Sequence, residues 1–129
     1  MVGLGDLPGG VFHSEAFTAS TDGSVIAGEA SIDGGQIAMV WSQQWGMRDL
    51  KELLIEQGLA QAVSGWNLLS VIDVSGDGQT FIGDGINPDG FYEGWIATVP
   101  EPTTFVLGWF GATLVLGAVL RRRVWRIQK

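Results

Sequence analysis

Asp73-x-Ser75-x-Asp77-Gly78, followed by Asp84, spaces oxygen-bearing side chains at positions one, three, five and twelve around a glycine at six. An EF-hand-like loop uses that spacing to surround a hard cation such as calcium with carboxylate and hydroxyl oxygens. A weaker copy precedes it in Thr18, Ser20, Asp22, Gly23 and Glu29. The competing reading is a hairpin turn, in which Asp-Gly supplies the positive φ angles of the bend. Two features favour the turn. Position twelve of a calcium loop wants a bidentate glutamate, and both flanks read as strands where an EF-hand needs helices. Calcium on Asp73, Ser75, Asp77 and Asp84 is the one cofactor expectation, and it ranks behind plain turn geometry.

Catalysis has less to work with. The chain has one histidine, His13, and no cysteine, which removes thiolate nucleophiles, cysteine metal sites and disulfides. Asp73, Asp77 and Asp84 surround a turn that already accounts for them, so no acid–base pair stands out. Leu7-Pro8-Gly9-Gly10 is glycine-rich but lacks the Lys-Ser/Thr of a phosphate loop. The expectation is a protein without enzymatic activity. Trp41, Trp45, Trp66 and Trp95 offer flat faces on which sugar rings stack, although tryptophans more often pack a core.

The elements that position these residues repeat. Ala19 to Glu29 (ASTDGSVIAGE) superimposes on Val74 to Asp84 (VSGDGQTFIGD) at an offset of 55. A glycine loop follows each copy, Asp33-Gly34-Gly35 in one and Asn87-Pro88-Asp89-Gly90 in the other. Then comes a short apolar segment bearing tryptophan, Ile37 to Trp41 and Glu93 to Ala97. Each unit, about 1–50 and 64–98, therefore reads as strand, Asp-Gly turn, strand, glycine-rich loop and strand. Between them, Asp49 to Gln57 (DLKELLIEQ) predicts one short connector helix, with Asp49 as cap, Leu50, Leu53 and Leu54 on one face, and Gly58 as terminator. Recurrence at roughly 50 residues points to a mainly β fold of stacked or propeller-like antiparallel units, a partial array.

The wording of these units resembles the HAF-type extracellular repeat, in which a Gly-Leu-Gly-Asp-Leu-Pro-Gly-Gly stretch precedes a Ser-x-Asp-Gly hairpin and an aromatic strand. Gly3 to Gly10, Ser20 to Gly23 and Ala38 to Trp41 match in that order; the second unit keeps the hairpin at Ser75 to Gly78 without the Leu-Pro-Gly-Gly part. The resemblance covers about residues 2–98 and implies an extracellular β-repeat role without catalytic residues. Met1 to Leu4 resembles the closing strand of a preceding unit. The chain is thus expected to be the end of a longer array, from a start further upstream or from a truncated gene.

Charge divides the sequence. Residues 1–102 hold all 14 acidic side chains against Arg48 and Lys51 alone, about −12, whereas 121–129 hold Arg121, Arg122, Arg123, Arg126 and Lys129. An acidic body repels nucleic acid. Between the two regions, Thr103 to Leu120 is 18 residues without a charge, about 27 Å as a helix and enough to cross a bilayer. Pro100 and Pro102 keep the helix from starting earlier, and Thr103 or Thr104 can cap it. A buried domain helix is the other reading, but the run exceeds the ~14 residues usual for one. The spacing predicts a single transmembrane helix over 103–120. Arg121, Arg122 and Arg123 would mark its cytoplasmic end, with the body on the far side. MVGLGDLPGG carries neither the basic nor the apolar region of a secretory signal.

Val99-Pro100-Glu101-Pro102, the apolar run and Arg121-Arg122-Arg123 together resemble the PEP-CTERM sorting signal of exported bacterial proteins. The resemblance implies that residues 99–129 form a sorting and anchor segment with a basic tail at 121–129. Its partner would be exosortase, a membrane-embedded processing enzyme acting near Pro100, Glu101 and Pro102. The protein would sit briefly in the inner membrane, then pass to the cell envelope or outside, often in an exopolysaccharide setting. A carbohydrate- or calcium-binding adhesion module of that matrix is the alternative role.

Overall fold

Short stretches rich in Val, Ile, Ala and aromatic residues, divided by glycine-bearing turns, fold into strands because branched and aromatic side chains suit a pleated, half-buried surface. The computed structural model describes residues 1–99 and, as backbone, the strand at 124–127. Strands β1 (Ser14–Ala19), β2 (Val25–Ile32), β3 (Gly35–Ser42) and β4 (Gly46–Asp49) form one antiparallel sheet in chain order. A second sheet repeats the pattern with β5 (Asn67–Val74), β6 (Thr80–Ile86), β7 (Tyr92–Thr98) and β8 (Val124–Ile127). The protein is therefore mainly β. Each unit has a fourth strand that the sequence reading lacked. β4 has only four residues, too few to show periodicity, and β8 falls within the stretch expected as a basic tail.

The repeat extends to backbone irregularities. β1 carries a bulge between Ala16 and Thr18, and β5 carries one between Val71 and Asp73, the same positions one repeat later. Opposite each bulge lies a glycine, and the reason is steric. A Cβ on Gly28 would stand 1.9 Å from the Glu15 carbonyl oxygen, and one on Gly83 would stand 2.0 Å from that of Ser70. No real Cβ tolerates such a contact, so the close approach of the bulged strand fixes glycine at both places.

The two sheets meet through unlike faces. Ala27, paired with Val40, is fully buried in the shared core, while its counterpart Ile82 is 39 % exposed. The second sheet contributes Phe81, paired with Ala97, and Trp95, whose ring lies over Gly83; the counterpart of Phe81 is Ile26, which sits on the opposite face of β2 from Ala27. The strand of the second sheet that comes against β1, β2 and β3 is β5. Turn positions stack as well: Thr21 N–H donates to Gly76 O at 2.9 Å, and Thr18 Oγ1 donates to Asp73 Oδ1 at 3.0 Å, each pair 55 residues apart.

The connector runs further than expected. Asp49 caps α1 (Leu50–Leu54) through a bond from Lys51 N–H, as its position predicts. Helical turns run on through Ile55–Leu59 only as far as Gly58, whose φ of 90° breaks the path where the sequence places its stop, and a separate short helix, α2 (Ala60–Val63), follows the kink. Leu50, Leu54, Leu59 and Val63 all enter the core, so both sides of the kink are buried. Among the described residues no helix is long and apolar enough to cross a membrane. The span expected over 103–120, its Arg121 to Arg123 flank and the Pro100, Glu101 and Pro102 motif lie outside the described residues.

Gly28→Ala and Gly83→Ala are each expected to lower unfolding free energy by about 2–3 kcal/mol, because the strand must move away from its bulged neighbour. Gly3→Ala, which meets nothing within 4 Å, should stay within about 0.5 kcal/mol of the parent. Urea unfolding followed by tryptophan fluorescence compares the three; equal midpoints would contradict the close approach.

Candidate functional site

The two Ser-x-Asp-Gly turns show what their side chains do. Ser20 Oγ, Ser24 N and Ser24 Oγ all donate to Asp22 Oδ1, and Val25 N donates to Ser20 Oγ. One repeat later, Ser75 Oγ and Gln79 N donate to Asp77 Oδ1, and Thr80 N donates to Ser75 Oγ. Gly23 and Gly78 have φ of 74° and 75°, as the Asp-Gly reading requires. These hydrogen bonds hold both carboxyls below the usual aspartate range, Asp22 chiefly through the Ser24 hydroxyl and Asp77 chiefly through that of Ser75. Each loop has five residues, with the aspartate serving as an internal acceptor for the bend.

The expected calcium set is dispersed over these roles. Asp73 accepts from Thr18 Oγ1 and from Val74 N, Ser75 and Asp77 belong to the turn, and Asp84 lies on β6. Asp84 Oδ1 accepts from Ser70 Oγ at 2.7 Å and Oδ2 accepts from the Tyr92 hydroxyl. Asp73, Asp77 and Asp84 do not form a three-ligand group. The one such group among the described residues is His13, Glu15 and Glu29, with ligand atoms within 4.8 Å of one another. It escaped the sequence reading because only the bulged register sets Glu15 opposite Glu29. Its members are largely exposed and already paired: His13 Nε2 lies 3.1 Å from Glu15 Oε1, and Gln36 Nε2 donates to Glu29 Oε2.

Glu29 is the strained member. Partial burial raises its pKa first, and the carboxylates of Glu15 and Asp84 add to the rise, while His13 opposes it. Like charges directly opposite on adjacent strands destabilise a sheet.

The tryptophans divide. Trp66 and Trp95, at 4 % and 1 % exposure, belong to the core, and Trp95 Nε1 donates to Asp84 O at 2.7 Å. Trp45 is 38 % exposed and shares with half-buried Trp41 a surface groove beside the β1–β2 turn. Comparison with protein-family models, with curated proteins and with solved structures gives no match.

Glu29→Gln is expected to stabilise the fold by about 0.2–1 kcal/mol at pH 7, the range of a cross-strand pair. Because the folded pKa of Glu29 is raised, the native protein gains a proton first as pH falls. The advantage of Gln should therefore be full above that pKa and vanish below it; thermal melts at about pH 7.5 and about pH 4.5, either side of the carboxylate range, check the sign. Millimolar calcium is expected to leave the melting temperature unchanged, and a rise of several degrees removed by chelator would restore a calcium site.

Proposed function

We propose that this chain is an exported, non-catalytic β-repeat protein of the cell envelope or extracellular matrix, with a C-terminal segment that serves as sorting signal and temporary membrane anchor. The observation that carries the reading is the stacking of the two units through unlike faces, with Thr18 on Asp73 and Thr21 on Gly76. A contact between equivalent positions of successive units can be repeated unit by unit, which is how arrays of extracellular repeats and blades are built. The second sheet ends with Ile82 exposed on its outer face, where the first sheet buries Ala27.

The chain order supports the second half of the proposal. Val99 N–H donates to Gln79 O at 2.8 Å, so the body is fastened up to the residue before Pro100. Pro-Glu-Pro, an uncharged run of bilayer length and three arginines follow in the order of a PEP-CTERM segment. Exosortase would be the partner and Pro100, Glu101 and Pro102 the place it acts. A span over 103–120 would carry 124–127 to the cytoplasmic side, so the pairing of β8 with β7 belongs to the chain outside a membrane.

In cells containing exosortase, mass spectrometry of the mature protein is expected to place its C-terminus before Phe105. In cells lacking the enzyme, the intact chain should stay in the membrane fraction after carbonate extraction. A mature envelope protein that still ends at Lys129 would overturn the proposal.

A further inference from the structure

We infer that the groove between the β1–β2 and β3–β4 turns binds a neutral saccharide chain. Both turns lie at the same end of the first sheet, because Val25 pairs with Ser42. They enclose a surface groove of 560 Å³, within the range of small-molecule sites. The β3–β4 turn contributes Gln43, Gln44 and Trp45, the end of β3 contributes Trp41 and Ser42, and Asp22 and Ser24 come from the other turn.

Three observations fix the ligand class. Two indoles give apolar surface with a polar handle, the combination that the C–H face and hydroxyl rim of a sugar ring require. Amide, hydroxyl and carboxylate groups supply donors and acceptors together, and no lysine or arginine lines the groove, which selects hydroxyls over phosphate or carboxylate. The third is an acceptor. The hydrogen bonds of the turn fall on Asp22 Oδ1, and the other carboxylate oxygen takes none of them.

Fold alone does not demand this surface. Trp41 pairs with Ile26, and at the corresponding place in the second unit Ala97 pairs with Phe81. Ala97 is buried there in the shared core, whereas Trp41 stays half-buried on an uncovered face, so the aromatic wall is particular to the first unit. The inference holds whether or not the C-terminal segment sorts the protein, and its failure would leave the export proposal standing.

The test titrates the full chain in mild detergent with cellohexaose, maltohexaose, laminarihexaose and chitohexaose, reading tryptophan fluorescence and calorimetric heat. At least one is expected to bind, with Trp45→Ala weakening it about tenfold or more. Trp45→Phe should restore most of the affinity, and Phe91→Ala, on an exposed loop residue of the other unit, should not change it. Three results would overturn the inference: no response to any of the four at about 10 mM, a concentration at which even weak specific binding registers; equal affinity in Trp45→Ala; or self-association through this groove, abolished by Trp45→Ala, with no sugar bound.

Discussion

The burial of one face of each sheet in a single shared core is what the rest of this structure depends on. Ala27, Ala38 and Val40 of the first sheet lie in one buried cluster with Val71, Phe81 and Trp95 of the second, and β5 is the strand that comes against β1, β2 and β3. Neither sheet could bury its inner face alone, and among the described residues each finds its apolar partner in its neighbour and the connector. The connector follows the same demand. Leu50 and Leu54 reach the core before Gly58 breaks the helix, and Leu59 and Val63 reach it after the kink, so the local stop and the burial are met together.

Much of this was legible in the sequence, and for a physical reason. A repeat in which turn residues, glycines and branched residues recur at fixed offset constrains the backbone twice, so Asp22 and Asp77, or Gly28 and Gly83, announce the same local geometry. The hairpin turns, the mainly β character and the Asp49 cap follow from such local rules. What could not be read is what depends on register. The bulges at Ala16–Thr18 and Val71–Asp73 shift every side chain beyond them, and only after that shift does Glu15 face Glu29, or does Asp84 meet Ser70. β4 and β8 were missed because a four-residue strand carries too few alternations to be told from a turn or a basic tail.

The polar residues that first suggested a cation site illustrate a wider point about Ser-x-Asp-Gly loops. Their oxygens are spaced like ligands because a tight loop needs acceptors for its inward N–H groups, and a cation needs acceptors in much the same places. Here the loop's own N–H and hydroxyl groups take the positions a metal would occupy around Asp22 and Asp77. The spacing is real in both readings; the number of donors within reach decides between them.

Comparing the two units separates what the fold requires from what it permits. The glycines opposite the bulges, the aspartates of the turns and the stacked turn backbones occur in both, and each has a steric or hydrogen-bonding reason. Other positions differ: Glu15 against Ser70, and Trp41 against Ala97. At the first, the serine hydroxyl donates to Asp84, whereas the glutamate sets a second negative charge against Glu29 and costs the sheet stability. At the second, Ala97 lies with Phe81 in the shared core, whereas Trp41 lies with Ile26 half-buried on the far face of the first sheet. The same register thus places one copy inside the core and the other at the surface, so the difference in side chain follows from what covers each sheet and not from the local hairpin.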